Sequence, residues 1–179
     1  MISPKTWKII QDKQNELDQL IYQQAQVEWK WRSFTNAKRL KLNILIEIGE
    51  LANELKTFKL WRKKGEINQT KAQVELVDCL CFFLGLWNIY QVDFTDYQFF
   101  SPTEKKDFND LLSQFFFQSE QLIVLKKTRK LSKKAQQTYY DWLQIFSEIT
   151  LKLQMNEKKL LDVYKQKNKT NQQRAIRGY

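Results

Sequence analysis

Two pairs of acidic residues are the part of this sequence best suited to chemistry. The segments Glu47-Ile-Gly-Glu50 and Glu75-Leu-Val-Asp78 each place two carboxylates three residues apart. Residues at that spacing share one face of a helix, so each pair would lie side by side. A site built from carboxylates suits Mg²⁺ or Mn²⁺, which bind a few acidic side chains, waters and substrate phosphates.

The surroundings of the two pairs decide between a metal site and an ordinary solvated helix edge. Both pairs are embedded in apolar residues, and carboxylates are rarely buried unless they are paired or bind a cation. The sequence therefore favours a metal site. The same acids could instead be neutralised by lysines, and the nearest candidates are Lys41, Lys56 and Lys71.

Composition limits the class of protein. With 179 residues, 42% of them apolar, only four glycines and two prolines, the chain is expected to form a single all-α domain spanning residues 1–179. It has no histidine, which excludes Ser-His-Asp and Cys-His catalysis and His-containing zinc sites. The net charge of +10 is compatible with nucleic acid, a membrane surface or a polyanionic substrate as the partner.

The two cysteines and the lengths of the apolar segments indicate in which cellular compartment the protein is expected. Cys79 and Cys81 point to opposite sides of a helix, so they cannot bridge, and we expect them to be core residues. Free cysteines are compatible with a reducing cytoplasm. The first residues are polar, unlike a signal peptide, and the longest apolar run, 79–87, is shorter than the ~20 residues of a membrane span. A cytoplasmic protein without a membrane partner is therefore expected.

Hydrophobic periodicity predicts a bundle of about five to six helices. The third helix is apolar on all sides from Cys79 to Trp87, and we infer that it also packs across the interface of a homodimer. The predicted helices run from about Pro4 to Gln26, Ala37 to Trp61, Thr70 to Tyr90, Ser101 to Leu125, Ser132 to Leu153 and Asn156 to Tyr164. The predicted N-caps include Ser3 for the first helix, Thr35 or Asn36 for the second, and Ser132 and Asn156 for the last two.

The polar tail from Lys165 to Tyr179 would ordinarily be a solvated, frayed terminus. However, Lys167, Asn171 and Arg174 follow the helical spacing i, i+4 and i+7 and would share one face. A lysine, an amide and an arginine on one stripe are good donors to phosphate oxygens.

These residues resemble the dimeric all-α dUTPase family, a branch of the all-α NTP pyrophosphatase superfamily that also includes MazG-type proteins. The ExxE and ExxD pairs mark the superfamily, and the tail is what resembles dUTPases in particular. The matching segments are Gln14-Asn-Glu-Leu-Asp18, Glu47-Ile-Gly-Glu-Leu-Ala-Asn-Glu54, Phe58-Lys-Leu-Trp61, Glu75-Leu-Val-Asp-Cys-Leu-Cys-Phe-Phe-Leu84 and Lys167-Asn-Lys-Thr-Asn-Gln-Gln-Arg-Ala-Ile-Arg-Gly-Tyr179.

The resemblance implies Mg²⁺-dependent hydrolysis of dUTP, and of dUDP, to dUMP in a homodimer. Two or three Mg²⁺ ions per site are implied, with Mn²⁺ as a substitute, and Glu47 would accept the proton of the attacking water. Residues 164–179 would close over the substrate. The implied roles are metal binding for Glu47, Glu50, Glu75 and Asp78, phosphate and deoxyribose binding for Lys167, Asn171, Arg174 and Tyr179, and a uracil pocket of Gln14, Asp18, Phe58 and Trp61, some of them against the dimer partner.

Two positions depart from the family's usual pattern. Members often have histidine where this chain has Cys81, and a glutamine often follows the tail arginine, where this chain has Ala175. Three alternatives therefore stay open. The chain could act on dCTP or a modified nucleotide, it could be a basic helical protein that binds nucleic acid without catalysis, or its acids could be salt-bridged in a helical scaffold. The resemblance favours the enzyme and no nucleic-acid partner.

Overall fold

The computed structural model of the chain describes residues 2–26, 30–61, 67–93, 97, 106–126 and 130–178. Within these ranges it consists of six α-helices joined by turns, without a β-strand, which confirms the predicted all-α fold. The helices are α1 (Pro4–Ala25), α2 (Phe34–Leu55), α3 (Gln69–Tyr90), α4 (Phe108–Gln121), α5 (Lys133–Lys152) and α6 (Glu157–Arg177).

The helix starts follow from local chemistry. Each helix is preceded by a serine, asparagine or aspartate whose side chain accepts a hydrogen bond from the backbone N–H three residues later. The predicted caps Ser3, Ser132 and Asn156 are confirmed. Helix α2 is capped by Ser33, two residues before the earliest predicted cap.

The prediction that α2 continues to Trp61 is wrong. The helix ends at Leu55 because Lys56 adopts a left-handed conformation with φ 53°, and its N–H bonds the carbonyl of Ala52. No glycine or asparagine marks this end, so the sequence gives no stop signal there. As a result Phe58 and Trp61 lie in the turn beyond the helix.

Two other helix boundaries differ from the expectation. Helix α4 begins at Phe108 behind the cap Asp107 and ends at Gln121; the predicted start at Ser101–Glu104 lies outside the described residues. Helix α6 does not stop at Tyr164 but continues to Arg177, where Gly178 (φ 72°) ends it in the left-handed conformation that glycine adopts without strain. Tyr179 also lies outside the described residues.

Helix α3 is the centre of the bundle and is contacted by α1, α2, α5 and α6. One ring contact shows how closely it is covered: Phe83 stacks on Trp142 of α5 with 3.8 Å between ring centroids. By length and composition α3 could cross a membrane, yet 83% of its most apolar window is buried inside the protein. The argument that α3 needs a second subunit to cover it is therefore wrong, and the homodimer stays a prediction.

Helices α1 and α6 lie side by side although they are far apart in sequence. Their first turns are joined where the backbone N–H and the hydroxyl of Ser3 both donate to Glu157 Oε1, at 3.1 and 2.5 Å. Both helices also contact α3, so the first and last helices of the chain pack together against the central helix.

Candidate active site

The structure brings three of the four predicted acids together. Helices α2 and α3 form the most extensive helix pair of the fold, and they carry Glu47, Glu75 and Asp78 to a single point. One carboxylate oxygen from each of these residues lies within 4.8 Å of the others. Asp78 is buried, whereas Glu47 and Glu75 are half-buried. We call this set the acidic cluster.

The acidic cluster is electrostatically strained in the absence of a cation. Burial, together with the charges of Asp78, Glu50 and Glu75, raises the pKa of Glu47 to about 7, although the charge of Lys167 lowers it. Burial and the charge of Asp78 likewise raise the pKa of Glu75. The pKa of Asp78 is also raised by burial, even though the hydrogen bond and charge of Lys167 lower it.

The fourth acid, Glu50, lies at the margin of the acidic cluster. It is exposed, but its charge contributes to the raised pKa values of Glu47 and Glu75, so it is electrostatically close to them. Lys41, one of the lysines expected to neutralise the acids, instead donates to the carbonyl of Glu120 at 2.6 Å. The described cation that reaches the acidic cluster is Lys167, from the other end of the chain.

The donor set of the acidic cluster fits a hard divalent cation. It offers only carboxylate oxygens, which are the ligands that Mg²⁺ and Mn²⁺ prefer. Three acids with raised pKa values around one point would gain most from a bound cation, because it would remove their mutual repulsion.

Helix α6 supplies cationic and amide groups beside the acidic cluster. Lys167 Nζ forms an ion pair with Asp78 Oδ2, and the charge of Arg174 also lowers the Asp78 pKa. Asn171 and Arg174 line a cavity that Asp78 borders. The predicted stripe of Lys167, Asn171 and Arg174 therefore lies on a helix that faces Asp78.

A cavity of about 250 Å³ extends from Asp78 between α1, α3 and α6. Five of the predicted site residues line this cavity, and so do several residues that were not predicted from the sequence. Helical spacing from the predicted residues would have found some of these, since Leu17, Ile21 and Phe82 follow Gln14, Asp18 and Asp78 by three or four positions. The full lining is Gln14, Leu17, Asp18, Ile21, Asp78, Cys81, Phe82, Asn171, Arg174 and Ala175.

Phe58 and Trp61 are not part of this cavity. Both stand in the turn after α2 with 52% and 79% of their surface exposed. Within the described part of this chain the expected uracil pocket therefore contains Gln14 and Asp18 but neither aromatic residue.

A buried hydrogen-bond network holds the α1 side of the cavity. Gln14 Nε2 donates to Asp18 Oδ1 at 2.7 Å, and Gln14 Oε1 accepts from the Tyr164 hydroxyl at 3.2 Å. The same hydroxyl also donates to the carbonyl of Ile10 at 3.1 Å, so the two acceptors share its one proton, and it accepts from Asn168 Nδ2 at 3.3 Å. Both ends of the Gln14 amide are thus already engaged, so its orientation is fixed from α6.

A second cavity of about 320 Å³ adjoins the first and was not foreseen from the sequence. The two cavities share Asp18, Ile21 and Phe82 in their walls, so Asp18 borders both. The second cavity is mostly apolar and aromatic, with a few polar groups at one side. Its remaining lining residues are Tyr22, Ala25, Trp31, Asn36, Arg39 and Leu40.

The sequence was compared with protein-family models, and the chain and its fold with known proteins. A family model described as dUTPase matches residues 6–179. No curated protein and no solved structure is significantly similar to the chain. Because the family match covers almost the entire chain, this protein belongs to the dimeric all-α dUTPase family, whose enzymes use Mg²⁺, and membership implies a dUTP diphosphatase.

Proposed function

We propose that this protein hydrolyses dUTP to dUMP and pyrophosphate, and dUDP to dUMP and phosphate, and so keeps uracil out of DNA. The observation that carries the proposal is the acidic cluster of Glu47, Glu75 and Asp78 at one end of a cavity that is bordered by α6. Carboxylates for a divalent cation and cationic groups for phosphates are the two requirements of phosphoryl transfer.

Glu47, Glu75 and Asp78 would hold Mg²⁺, with Glu50 as a further ligand at the margin. The proposal keeps two or three ions per site, with Mn²⁺ as a functional substitute. When bound, the ions supply charge neutralisation of the phosphates and lower the pKa of a water. Helices α2 and α3 hold these ligands on rigid backbone, which keeps their geometry fixed.

Glu47 would accept the proton of the attacking water. Its raised pKa of about 7 lies close to neutral pH, where a general base works most efficiently. It is half-buried, so it can meet both water and the reacting phosphate.

Lys167 and Arg174 would bind the phosphates and stabilise the charge that develops there, while Asn171 and Tyr179 bind the phosphate and sugar. Lys167 already bonds Asp78, so an incoming phosphate would take over this ammonium group as the carboxylate turns to the metal. Closure of residues 164–179 over the substrate would exclude bulk water from the site and leave only the attacking water.

Gln14 and Asp18 would contact the uracil in the cavity. Phe58 and Trp61 face solvent in this chain, so they would reach a uracil only across a subunit interface, and we propose a homodimer in which they do so. The buried, unbridged Cys79 and Cys81 are compatible with the cytoplasmic location that we propose.

One observation favours a different nucleotide as the substrate. Cys81 and Ala175, the two positions that depart from the usual pattern of the family, both line the cavity. Each is smaller than the histidine or glutamine it replaces, so the cavity has a different shape and polarity. A pyrophosphatase that acts on dCTP or a modified deoxynucleotide is therefore the second candidate.

The test is pyrophosphate release from dUTP, dCTP, dTTP and UTP with Mg²⁺. It compares the wild-type protein with Glu47→Gln and with Glu16→Gln, which changes an exposed acid on α1. We expect release from dUTP alone, retained in the Glu16 variant and reduced at least 100-fold in the Glu47 variant. Release from dCTP instead would overturn the assigned substrate, and no release from any nucleotide would overturn the proposed function.

A further inference from the structure

Asp18 is a buried carboxyl group with one oxygen that has no hydrogen-bond partner. It is 8% exposed, and its Oδ1 accepts from Gln14 Nε2. Its Oδ2 is buried without any hydrogen bond, although Asp18 lines both cavities. A buried ionised oxygen without a donor is costly, whereas a neutral acid needs only an acceptor for its proton.

The groups that face Asp18 from the neighbouring helices offset only part of the cost of a charge there, since the charge of Arg39 lowers the Asp18 pKa less than burial raises it. Arg39 of α2 directs its Nε and Nη2 atoms to Asn36 Oδ1, at 3.3 and 2.9 Å. Cys81 of α3 and Tyr164 of α6 are acids whose own pKa values are raised, so both are neutral at pH 7. The other charged residues bordering the shared cavity are Asp78 and Arg174.

The balance of these surroundings leaves Asp18 poised near neutral pH. Burial raises the pKa of Asp18 to about 7, against the lowering effects of the Gln14 hydrogen bond and the charge of Arg39. Asp78 and Arg174, of opposite charge, border the cavity on its α6 side.

The network around Gln14 also decides where the proton of a neutral Asp18 would reside. The Tyr164 hydroxyl bonds Gln14 Oε1, so Gln14 presents its NH₂ group to Asp18 Oδ1. Oδ1 is thereby fixed as the carbonyl oxygen and acceptor, and the proton belongs on Oδ2. A neutral Asp18 thus offers one acceptor and one donor in a set order.

We propose that Asp18 recognises the base as a neutral carboxylic acid, with Oδ2–H donating to a carbonyl oxygen of uracil and Oδ1 accepting the uracil N3–H. This inference rests on the proposed function, which places the base in the cavity that Asp18 borders. Ionised Asp18 has two acceptors and no donor, so it repels a carbonyl oxygen and instead attracts the exocyclic amino group of cytosine. Deprotonation therefore weakens binding of uracil nucleotides and strengthens binding of cytosine nucleotides.

The experiment measures dissociation constants of dUMP and dCMP by calorimetry, without metal, from pH 6.5 to 9. The variant is Asp18→Asn, whose amide has the same shape and keeps one donor and one acceptor at every pH. The second phosphate pKa lies near 6, and titration of the acidic cluster is common to both proteins, so their difference isolates Asp18. Circular dichroism and thermal unfolding establish that the variant is folded.

We expect the dUMP affinity of wild-type protein to fall about tenfold for each pH unit above the Asp18 pKa, as it does for a single deprotonation that abolishes binding. The affinity of the Asn variant is expected to change only with the titrations common to both proteins, so the ratio of wild-type to variant affinity should fall as the pH rises. If the variant does not fold, the wild-type protein alone tests the role of Asp18. Its ratio of dUMP affinity to dCMP affinity must fall as the pH rises and Asp18 loses its proton.

Parallel pH profiles of the two proteins, or a constant dUMP to dCMP ratio, would overturn the role of Asp18. Such a result would leave the proposed function intact if dUTP is still hydrolysed with Mg²⁺. A protein that binds dCMP better than dUMP across the whole pH range would overturn the proposed substrate together with this inference.

Discussion

Lys167 of α6 forms an ion pair with Asp78 of α3, so the last helix reaches directly into the acidic cluster. The ammonium group lowers the pKa of Asp78, which burial would otherwise raise further. A cation of the protein thus lies next to the carboxylates that would hold Mg²⁺, and we expect it to compete with the metal when no phosphate is bound.

Replacing Lys167 by glutamine is expected to separate metal binding from turnover. Without the ammonium group, Mn²⁺ should bind the nucleotide-free protein several-fold more tightly at pH 8, because a repelling charge has gone. Turnover of dUTP should fall at least 100-fold, because the phosphate loses its nearest cation. Metal titration and pyrophosphate release measure the two effects. Lys169→Gln changes an exposed lysine on the same helix and serves as the control; a loss of metal affinity in the Lys167 variant would contradict the competition.

Glu47→Gln should make the metal-free protein more stable while it abolishes activity. The carboxylate of Glu47 is repelled by Asp78, Glu50 and Glu75, so a neutral amide removes an unfavourable charge. The expected gain in the free energy of unfolding is on the order of 1 kcal/mol, a common cost of functional residues. Urea unfolding in EDTA measures it, with Asp162→Asn on the exposed side of α6 as the comparison. If Glu47→Gln instead lowers the free energy of unfolding, the carboxylate of Glu47 is not significantly repelled by its neighbours in the metal-free wild-type protein.

The stability of the metal-free protein should fall as the pH rises from about 4 to 7. The folded protein raises the pKa of both Glu47 and Asp18 to about 7, from ordinary values of 4.5 and 3.8. Between these values the folded state binds more protons than the unfolded state, so the stability that the two groups contribute below pH 4 is lost by pH 7. One pKa unit corresponds to about 1.4 kcal/mol. Thermal unfolding in EDTA should give a Tm that falls from about pH 4 to pH 7, and Mg²⁺ should recover part of the loss at pH 7.5. A Tm that rises steadily to pH 7.5 in EDTA is the contrary result.

Two glycines in helices should respond to alanine with opposite signs. At Gly85 of α3 a Cβ atom would lie 3.0 Å from Leu40 Cδ1 and 3.2 Å from Asp18 Oδ2, both of them buried. At Gly49 of α2 it would meet nothing within 4 Å. Gly49→Ala should therefore stabilise the protein by about 1 kcal/mol through helix propensity, whereas Gly85→Ala should destabilise it by about 1–2 kcal/mol through overpacking. Urea unfolding measures both, and shifts of the same sign would refute the close packing at Gly85.

Removing the Tyr164 hydroxyl should impair substrate binding as well as stability. Tyr164→Phe leaves Gln14 Oε1 without its bond from α6, and Gln14 in turn positions Asp18. The matched change is Tyr140→Phe, which removes a hydroxyl bonded to the carbonyl of Asp93, away from the cavity. Each change should cost about 1–2 kcal/mol of stability. Only Tyr164→Phe should raise the KM for dUTP, with a smaller effect on kcat. An equal effect of both variants on KM would assign Tyr164 a purely structural role.

The features that sequence reasoning predicted well are those that local spacing controls. The acid pairs, the cap residues Ser3, Ser132 and Asn156, and the i, i+4, i+7 stripe on α6 depend on residues within two turns of each other. Which helices come together depends on the tertiary fold, so the second cavity and the contact between Lys167 and Asp78 were not foreseen.

Two of the mispredicted helix ends, those of α2 and α6, have identifiable causes. Lys56 ends α2 in a left-handed conformation that is uncommon for a residue other than glycine. The end of the helix could therefore not be predicted from the type of residue at this position. The second half of α6 has few apolar residues, and apolar periodicity is the signal for a helix. It is held by polar contacts instead: Asn168 is buried, donates to Tyr164 and accepts from Gln172 Nε2 at 3.0 Å.

The pairing of α1 with α6, tied where Ser3 donates to Glu157, has a consequence for synthesis on the ribosome. The groups that we propose to bind the base come from the first helix and those that we propose to bind phosphate from the sixth, so a nascent chain would complete the proposed site only after residue 174 has emerged from the exit tunnel. A premature stop anywhere before Lys167 would leave the three acids of α2 and α3 without their cation. A chain truncated in this way would therefore keep the carboxylates but lack the cationic groups of the proposed site.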